Sequence, residues 1–446
     1  MSAFAPLAAD GGRPLRIAWL SYRGNPHSGG QGVYTRYLAK ELRALGHHVE
    51  VLSGQPYPVL DDGIRLVEIP SMDLFRPDDP WHVPRLKEIA ARYRLAKTQG
   101  STLAGMATDT LEFAHMCTSG FPEPWTYSLR VRRYLKRHST DFDIIHDNQC
   151  FGYGIAGIQR DGLPVVATLH HPITVDRDLE FDEAKRLGAG VKRRFSLRRW
   201  YGFLGMQIKV ARGIPRIVTV SESSRRDIVA QMGVRAEQLH VVPVGVDHER
   251  FRPLAHVTKA RCRVMTTASA DVPLKGLRPL LEAIAKVRTE RDVELLIIGK
   301  KREGSVLPEL LDRLGLNDIV TFVSGVSDER IVELYNEATV VVVPSLYEGF
   351  SLPAIEAMAC GAPLITTTGG ALPEVVGSNG ESALTVEPGD PEALALAIRR
   401  ILDDDELRAR VGAAGRARVL NRFTWKVAAE GTVEQYRALL ADLGRA

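Results

Sequence analysis

Short apolar runs alternate with longer helical patterns along this chain, and the alternation runs through twice. In the first pass, residues 16–20, 49–52, 144–146, 165–168 and 217–220 read as buried strands. Residues 33–45 read as a helix, which Gly46-His47-His48 ends. The pattern restarts after Phe251, where residues 264–268, 294–298, 319–322, 340–343 and 364–367 are the strands. Strands separated by helical stretches predict parallel sheets covered by helices on both faces. The four consecutive valines at 340–343 suit a strand with no solvent face. The expected fold class is α/β, with two doubly wound, Rossmann-like domains over residues 1–246 and 247–424. Residues 425–446 form a final helix beyond them. Residues 56–140 fit the alternation poorly and carry Pro-rich turns at 76–80 and 120–124. They read as an insertion in the first half, either a pocket wall or a structural elaboration.

Composition removes several function classes. The chain has 446 residues, 45% apolar and 25% charged, and a formal charge of +4. Disordered, collagen-like and disulfide-scaffold classes are excluded, and the near-neutral total argues against a nucleic-acid partner. Cys117, Cys150, Cys262 and Cys360 lack metal-ligand or redox-motif spacing. Unpaired thiols fit a reducing, cytoplasmic location. Residues 1–14 do not read as a signal peptide, and no run of about 20 apolar residues predicts a membrane-spanning helix.

Three segments carry chemistry. The turn after the first strand holds Gly29, Gly30 and Gly32 ahead of a helix, so backbone can approach an anion at the helix amino end. The spacing is not that of a nicotinamide fingerprint. The second segment follows the strand at 340–343. Glu348 and Gly349 lie in the loop, Ser351 stands where it can cap the next helix, Pro353 suits its first turn, and Glu356 lies inside it. Ligands of open parallel sheets bind outside the carboxyl ends of the strands, where Glu348 is expected. The third segment is Thr168-Leu-His-His-Pro172, with His170 and His171 at another strand end.

The second segment resembles the Glu-x7-Glu signature of family 4 glycosyltransferases, whose GT-B fold has two Rossmann-like domains facing a cleft. The likeness extends to Gly29-Gly30, Gly46-His47-His48-Val49, Asp143-Ile-Ile-His146 and Val220-Ser-Glu-Ser-Ser. It continues through Val242-Pro-Val-Gly-Val-Asp247, Phe251-Arg-Pro253, Lys275-Gly276, Gly369-Gly-Ala-Leu-Pro-Glu374, Pro388-Gly-Asp-Pro391 and Phe423-Thr-Trp425. The resemblance implies a retaining hexosyltransferase that moves a sugar from a nucleotide diphosphate sugar to a hydroxyl acceptor. It implies that Glu348 holds sugar hydroxyls, Glu356 the ribose hydroxyls, Lys275 the diphosphate and Gly30 the same diphosphate from the first domain. Gly349, Phe350, Ser351 and Leu352 complete the donor loop. His170 matches the family's cleft histidine, beside the donor sugar or the reacting centre. No cofactor and no metal are expected. In the family's front-face mechanism the leaving phosphate takes the acceptor proton, so no protein base is required. The last helix is expected to pack back on the first domain.

The chain departs from the family in two places. The Arg expected five residues before the donor lysine is Ala270, and the Gly-x-Gly turn after residue 298 is replaced by Gly299-Lys-Lys-Arg-Glu-Gly304. Either Lys300, Lys301 or Arg302 substitutes for the missing Arg, or this is a solvated basic loop. The missing Arg also leaves open a degenerate sugar-nucleotide-binding protein without turnover. Residues 185–216 hold ten basic residues and no acid, interleaved with Phe195, Trp200, Tyr201 and Phe203. They fit docking on an anionic membrane surface, peripheral on its inner face, or a core-packed helix with a solvated basic face. Residues 1–245 hold 33 basic and 25 acidic residues, net +8, and the remainder is net −4. The basic excess thus lies on the acceptor half and suggests an acidic or lipid-linked acceptor.

Overall fold

The computed structural model describes residues 12–24, 30–72, 103–186, 188, 190–267, 273–299 and 307–445. Two compact units divide them. The first comprises residues 1–219, 225–242 and 429–446, the second 220–224 and 243–428.

The first unit is built on a parallel sheet in the order β3-β2-β1-β4-β5-β6-β7. Its strands are β1 (Arg16–Ser21), β2 (His48–Ser53), β3 (Arg65–Glu68), β4 (Ile144–Asn148), β5 (Val165–Thr168), β6 (Arg216–Thr219) and β7 (Leu239–Val241). Register is set by side-chain period. Ile17 lies opposite Val49 on one side and Ile144 on the other, so apolar residues face the same layer. Helices α1 (Gly30–Ala44), α2 (Leu103–Cys117), α3 (Glu123–Arg137), α4 (Tyr153–Arg160), α5 (Thr174–Arg186), α6 (Val191–Trp200) and α7 (Leu204–Ala211) follow. The core joins Leu20, Leu52, Ile145, Val165 and Ile217 of the sheet to Val131, Leu135 and Ile155 of the helices. β3 corrects the reading of residues 56–140 as outside the alternation, because four of them pair with β2 and extend the sheet. Its half-exposed edge position gives it no apolar run to read.

After α8 (Glu222–Met232), the second unit repeats the plan with the order β10-β9-β8-β11-β12-β13, all parallel. The strands are β8 (Arg263–Thr266), β9 (Glu294–Ile298), β10 (Val320–Val323), β11 (Val340–Val343), β12 (Leu364–Thr367) and β13 (Leu384–Val386). The helices are α9 (Leu277–Arg288), α10 (Leu307–Leu314), α11 (Asp328–Glu337), α12 (Leu352–Ala359), α13 (Leu372–Val376), α14 (Pro391–Asp403) and α15 (Asp405–Arg422). Val340 to Val343 are all buried. Each contributes about 1.5–3 kcal/mol over an exposed position. Capping is local: Asp390 accepts from the Glu392 and Ala393 amides before Pro391 opens α14, and Asp404 accepts from Leu407.

The last helix, α16 (Trp425–Asp442), crosses the division, and its residues from 429 onward cluster with the first unit. Ala429, Val433, Tyr436 and Leu440 are buried at helical spacing. The Tyr436 hydroxyl lies 2.7 Å from His146 Nδ1, and Arg216 bonds Gln435 and pairs with Asp442. Tyr436→Phe would leave His146 Nδ1 unpaired in a fully buried site, so a loss of about 1–3 kcal/mol is expected in urea unfolding. An unchanged midpoint would show that this bond does not hold the helix.

Candidate active site

In both sheets the strand order reverses beside the first strand of the unit, between β1 and β4 and between β8 and β11. The loops leaving these strands diverge in opposite directions and leave a crevice at the carboxyl ends. Gly30 after β1, Lys275 after β8 and Glu348 after β11 fall there.

In the second unit, β8 leads to a 3-10 turn (Pro273–Lys275), and Gly276 then enters α9 at φ +64°. A Cβ on Gly276 would stand 1.9 Å from the Pro344 carbonyl oxygen, so this turn packs backbone to backbone against the end of β11. The Leu346 amide donates to the Leu274 carbonyl at 2.7 Å. This close approach brings Lys275 Nζ to 2.7 Å from Glu348 Oε1, and Ser345 Oγ donates to the same oxygen at 2.7 Å. Glu348 is buried, while about a third of the Lys275 side chain is exposed. A buried carboxylate beside a reachable ammonium is satisfied by it and leaves cationic donors for an incoming anion. Gly369 and Gly370 pack under this loop. A Cβ on Gly370 would meet the Glu348 carbonyl oxygen at 2.2 Å. The Gly349 carbonyl accepts from Ser221 Oγ at 2.7 Å and Ser224 Oγ at 3.1 Å, which ties residues 220–224 to this unit.

The expectation that Ser351 caps α12 through its side chain is corrected. Ser351 adopts φ +100°, its Oγ makes no cap bond, and that buried oxygen has no partner among the described residues. A left-handed backbone with an unpaired buried hydroxyl at a helix amino end leaves that oxygen free of the capping task. Gly349 and Phe350 precede it, and Leu352 opens the helix. One turn in, Glu356 is half-buried and accepts from the Tyr335 hydroxyl at 2.9 Å. Burial pushes its carboxyl up to about 7, against the opposing effect of the Tyr335 bond.

In the first unit, His170 follows β5. Its Nε2 lies 2.9 Å from Asn148 Oδ1, and its amide donates to Gln149 Oε1 at 2.9 Å. Burial holds it neutral, with a pKa down to about 3. His171 pairs with Asp176 at 3.0 Å. His146 is structural: both ring nitrogens are bonded, to Tyr436 and Thr168, and the ring stacks on Trp19 at 4.1 Å. Gly30 opens α1, and no described atom stands within 4 Å of where its Cβ would be. The protein's own packing therefore does not require glycine there. Gly29, Ala270, Lys300, Lys301 and Arg302 lie outside the described residues.

Sequence reasoning missed Ser345, Tyr335, Asn148 and Gln149. Only the Asn148-Gln149 pair carried a signal, as two amides at a strand end. The aromatics of 185–216 divide between the two readings. Leu197, Tyr201 and Leu204 form a buried cluster, with Trp200 and Phe203 packed against it and against Phe121. Val191 and Phe195 on α6 stay outside, 85% and 60% exposed, beside exposed Lys192, Arg194 and Arg198. Among the described residues no group of acids, His and Cys could hold a metal ion, and no helix is long and apolar enough to cross a membrane.

The family described as glycosyl transferases group 1 matches residues 256–418, and the glycosyl transferase 4-like domain matches residues 29–245. The chain is 47% identical to the MMP alpha-(1->4)-mannosyltransferase of Mycolicibacterium hassiacum over 428 residues, covering 96% of this chain and 99% of that protein. Sucrose-phosphate synthase from Thermosynechococcus elongatus matches with a TM-score of 0.69 at 24% identity, over 96% of this chain and 100% of that one. Anabaena Alr3699/HepE, solved with UDP-glucose, matches with a TM-score of 0.59 at 18% identity, over 97% and 100%. The fold is of the GT-B class.

The raised carboxyl of Glu356 sets a pH dependence. Its pKa is about 7 in the folded protein and ordinary, near 4.5, when unfolded. Stability is therefore lost as pH rises from about 4.5 through 7, because the unfolded chain ionises first. Glu356→Gln removes that loss. Its melting temperature should gain on the wild type between pH 5 and pH 8, and a constant difference would show an ordinary carboxyl.

Proposed function

The chain belongs to the glycosyl transferases group 1 family and is a glycosyltransferase, and on that premise we propose that it transfers mannose, with retention, from a nucleotide diphosphate sugar to a 4-hydroxyl of a sugar acceptor. The observation that carries this reading is the Lys275–Glu348–Ser345 contact at the switch point of the second sheet. The mannosyl and α-(1→4) parts rest on the name of the 47% identical relative. The nucleotide-sugar part is supported by the UDP-glucose in the Anabaena structure. From an α-configured donor, an α-linked product means retention.

The reading gives each residue a task. Lys275 neutralises the diphosphate, whose negative charge grows as the bond to the anomeric carbon breaks. The amides at the start of α12 and the Ser351 hydroxyl face the same anion. Glu348, oriented by Ser345 and Lys275, accepts sugar hydroxyls, and Glu356, oriented by Tyr335, accepts ribose hydroxyls. Gly30 lets the backbone of α1 approach the diphosphate, and His170 meets the sugar. The acceptor oxygen bonds to the anomeric carbon on the face that the phosphate leaves, and its proton passes to the departing phosphate oxygen. Lys300, Lys301 or Arg302 supplies the cation that Ala270 lacks.

Thermal-shift screening against UDP, GDP and ADP should give one clear stabilisation, about 2.7 kcal/mol at a hundredfold excess over Kd. Glu348→Gln should keep that stabilisation and lower kcat on the order of a hundredfold or more. Stabilisation without transfer from any nucleotide sugar would favour a binding protein instead.

We also propose that the outward face of α6 docks on an anionic membrane carrying the acceptor. Val191 and Phe195 stand one turn apart, flanked by Lys192, Arg194 and Arg198. Each basic group near such a surface contributes about 1 kcal/mol. The protein should sediment with phosphatidylglycerol vesicles, less so as salt rises and less so as Phe195→Glu. No binding at low salt would refute the docking.

A further inference from the structure

The polar groups behind His170 form a chain whose donors converge on the Thr35 hydroxyl oxygen. It starts in β1, where Trp19 Nε1 donates to Thr35 Oγ1 at 3.1 Å. Asn148, the last residue of β4, places its Nδ2 3.1 Å from the same hydroxyl oxygen and 3.5 Å from the Gln31 carbonyl oxygen. A carbonyl oxygen only accepts, so the amide atom that faces Gln31 is the NH2 group. The other end of the amide, Oδ1, then faces His170 Nε2 at 2.9 Å. That oxygen also only accepts, so the imidazole proton sits on Nε2.

The main chain of His170 is held separately. Its amide donates to Gln149 Oε1, and Gln149 Nε2 donates to the His171 carbonyl at 3.3 Å. Gln149 itself is in the left-handed region at φ +56°, and its carbonyl accepts from Gln207. The Tyr34 ring stands edge-on to the imidazole, 4.6 Å between centroids. The ring is thus fixed in place and in rotation, and no described residue bonds Nδ1.

We propose that Asn148 is a positioning residue that locks His170 as the Nε2–H tautomer, so that Nδ1 presents a lone pair to a sugar hydroxyl. The hydroxyl as ligand rests on the glycosyltransferase reading; the tautomer does not. The lock makes His170 a hydrogen-bond acceptor throughout the cycle. It also explains why an amide, not a carboxylate, stands behind the ring. A carboxylate there would favour the imidazolium, which would repel no phosphate but could not accept from a hydroxyl. The charged groups around the ring agree. Asp147 turns its Oδ2 to the Phe151 amide at 2.8 Å and burial pushes its carboxyl up to about 7 in wild type and variant alike, Asp176 pairs with His171, and His146 is buried and neutral.

The test is a long-range proton–nitrogen NMR correlation on ligand-free, full-length protein with labelled histidines, the His170 signals being identified by their loss in His170→Gln. The wild type should show a neutral ring protonated at Nε2 that does not titrate between pH 5 and pH 8. Asn148→Asp should bring its titration into that range, and kcat should fall as pH falls, on the order of tenfold, more than the donor KM changes. Thr35→Ser keeps the hydroxyl and should match the wild type in both readouts. A wild-type ring protonated at Nδ1, or charged at pH 7, overturns the proposal, and so does an Asn148→Asp ring that behaves as the wild type. The wild-type spectrum decides even where a variant fails to fold. Absence of transfer from every nucleotide sugar would instead refute the functional reading and leave the tautomer standing.

Discussion

A parallel sheet covered on both faces has no lateral surface for polar chemistry, and this protein contains two. The central strands are walled mostly by Val, Ile and Leu side chains, and their backbone groups pair with a strand on each side. Polar side chains can therefore leave the layers only at the strand ends. The reversal of strand order opens a crevice at one place per sheet. Asn148 and the start of α1 lie at the first reversal, Lys275 and Glu348 at the second. Asn148, Lys275 and Glu348 stand at these ends because the hydrophobic layers exclude polar groups from the strand interiors.

Burial then decides what each ionisable group is. His146 lies inside β4 and His170 just beyond β5, and both are held neutral by desolvation. They differ in what closes their second nitrogen. Tyr436 and Thr168 take both nitrogens of His146 and make it part of the core. Asn148 takes one nitrogen of His170 and leaves the other. Glu348 and Glu356 diverge in the same way: Glu348 sits against an ammonium, whereas Glu356 has a phenol and a low-dielectric surrounding.

Much of the architecture was legible because it follows from period. Both sheets, the buried valines of β11 and the loop position of Glu348 are local patterns, and each strand read from the sequence lies within about two residues of one in the structure. β3 escaped because an edge strand with two exposed and two half-buried residues has no apolar signature, and β7 and β13 escaped as three-residue edge strands. Ser351 was misread because its residue type favours capping, while the loop it closes imposes a left-handed backbone. The aromatics of 185–216 look alike in sequence. Tertiary packing sends Trp200, Tyr201 and Phe203 inward and leaves Phe195 out.

By itself the sequence determined the α/β class, the doubling of the unit, and which residue types stand at the strand ends. These depend on hydrophobic period and on turn chemistry, which act over a few residues. Only the tertiary structure decided the partners: Ser345 and Lys275 on Glu348, Tyr335 on Glu356, Asn148 on His170. The last three pairs join residues 73, 21 and 22 positions apart. A bond between side chains on different elements depends on how their layers pack. No local pattern in a single sequence encodes that distance.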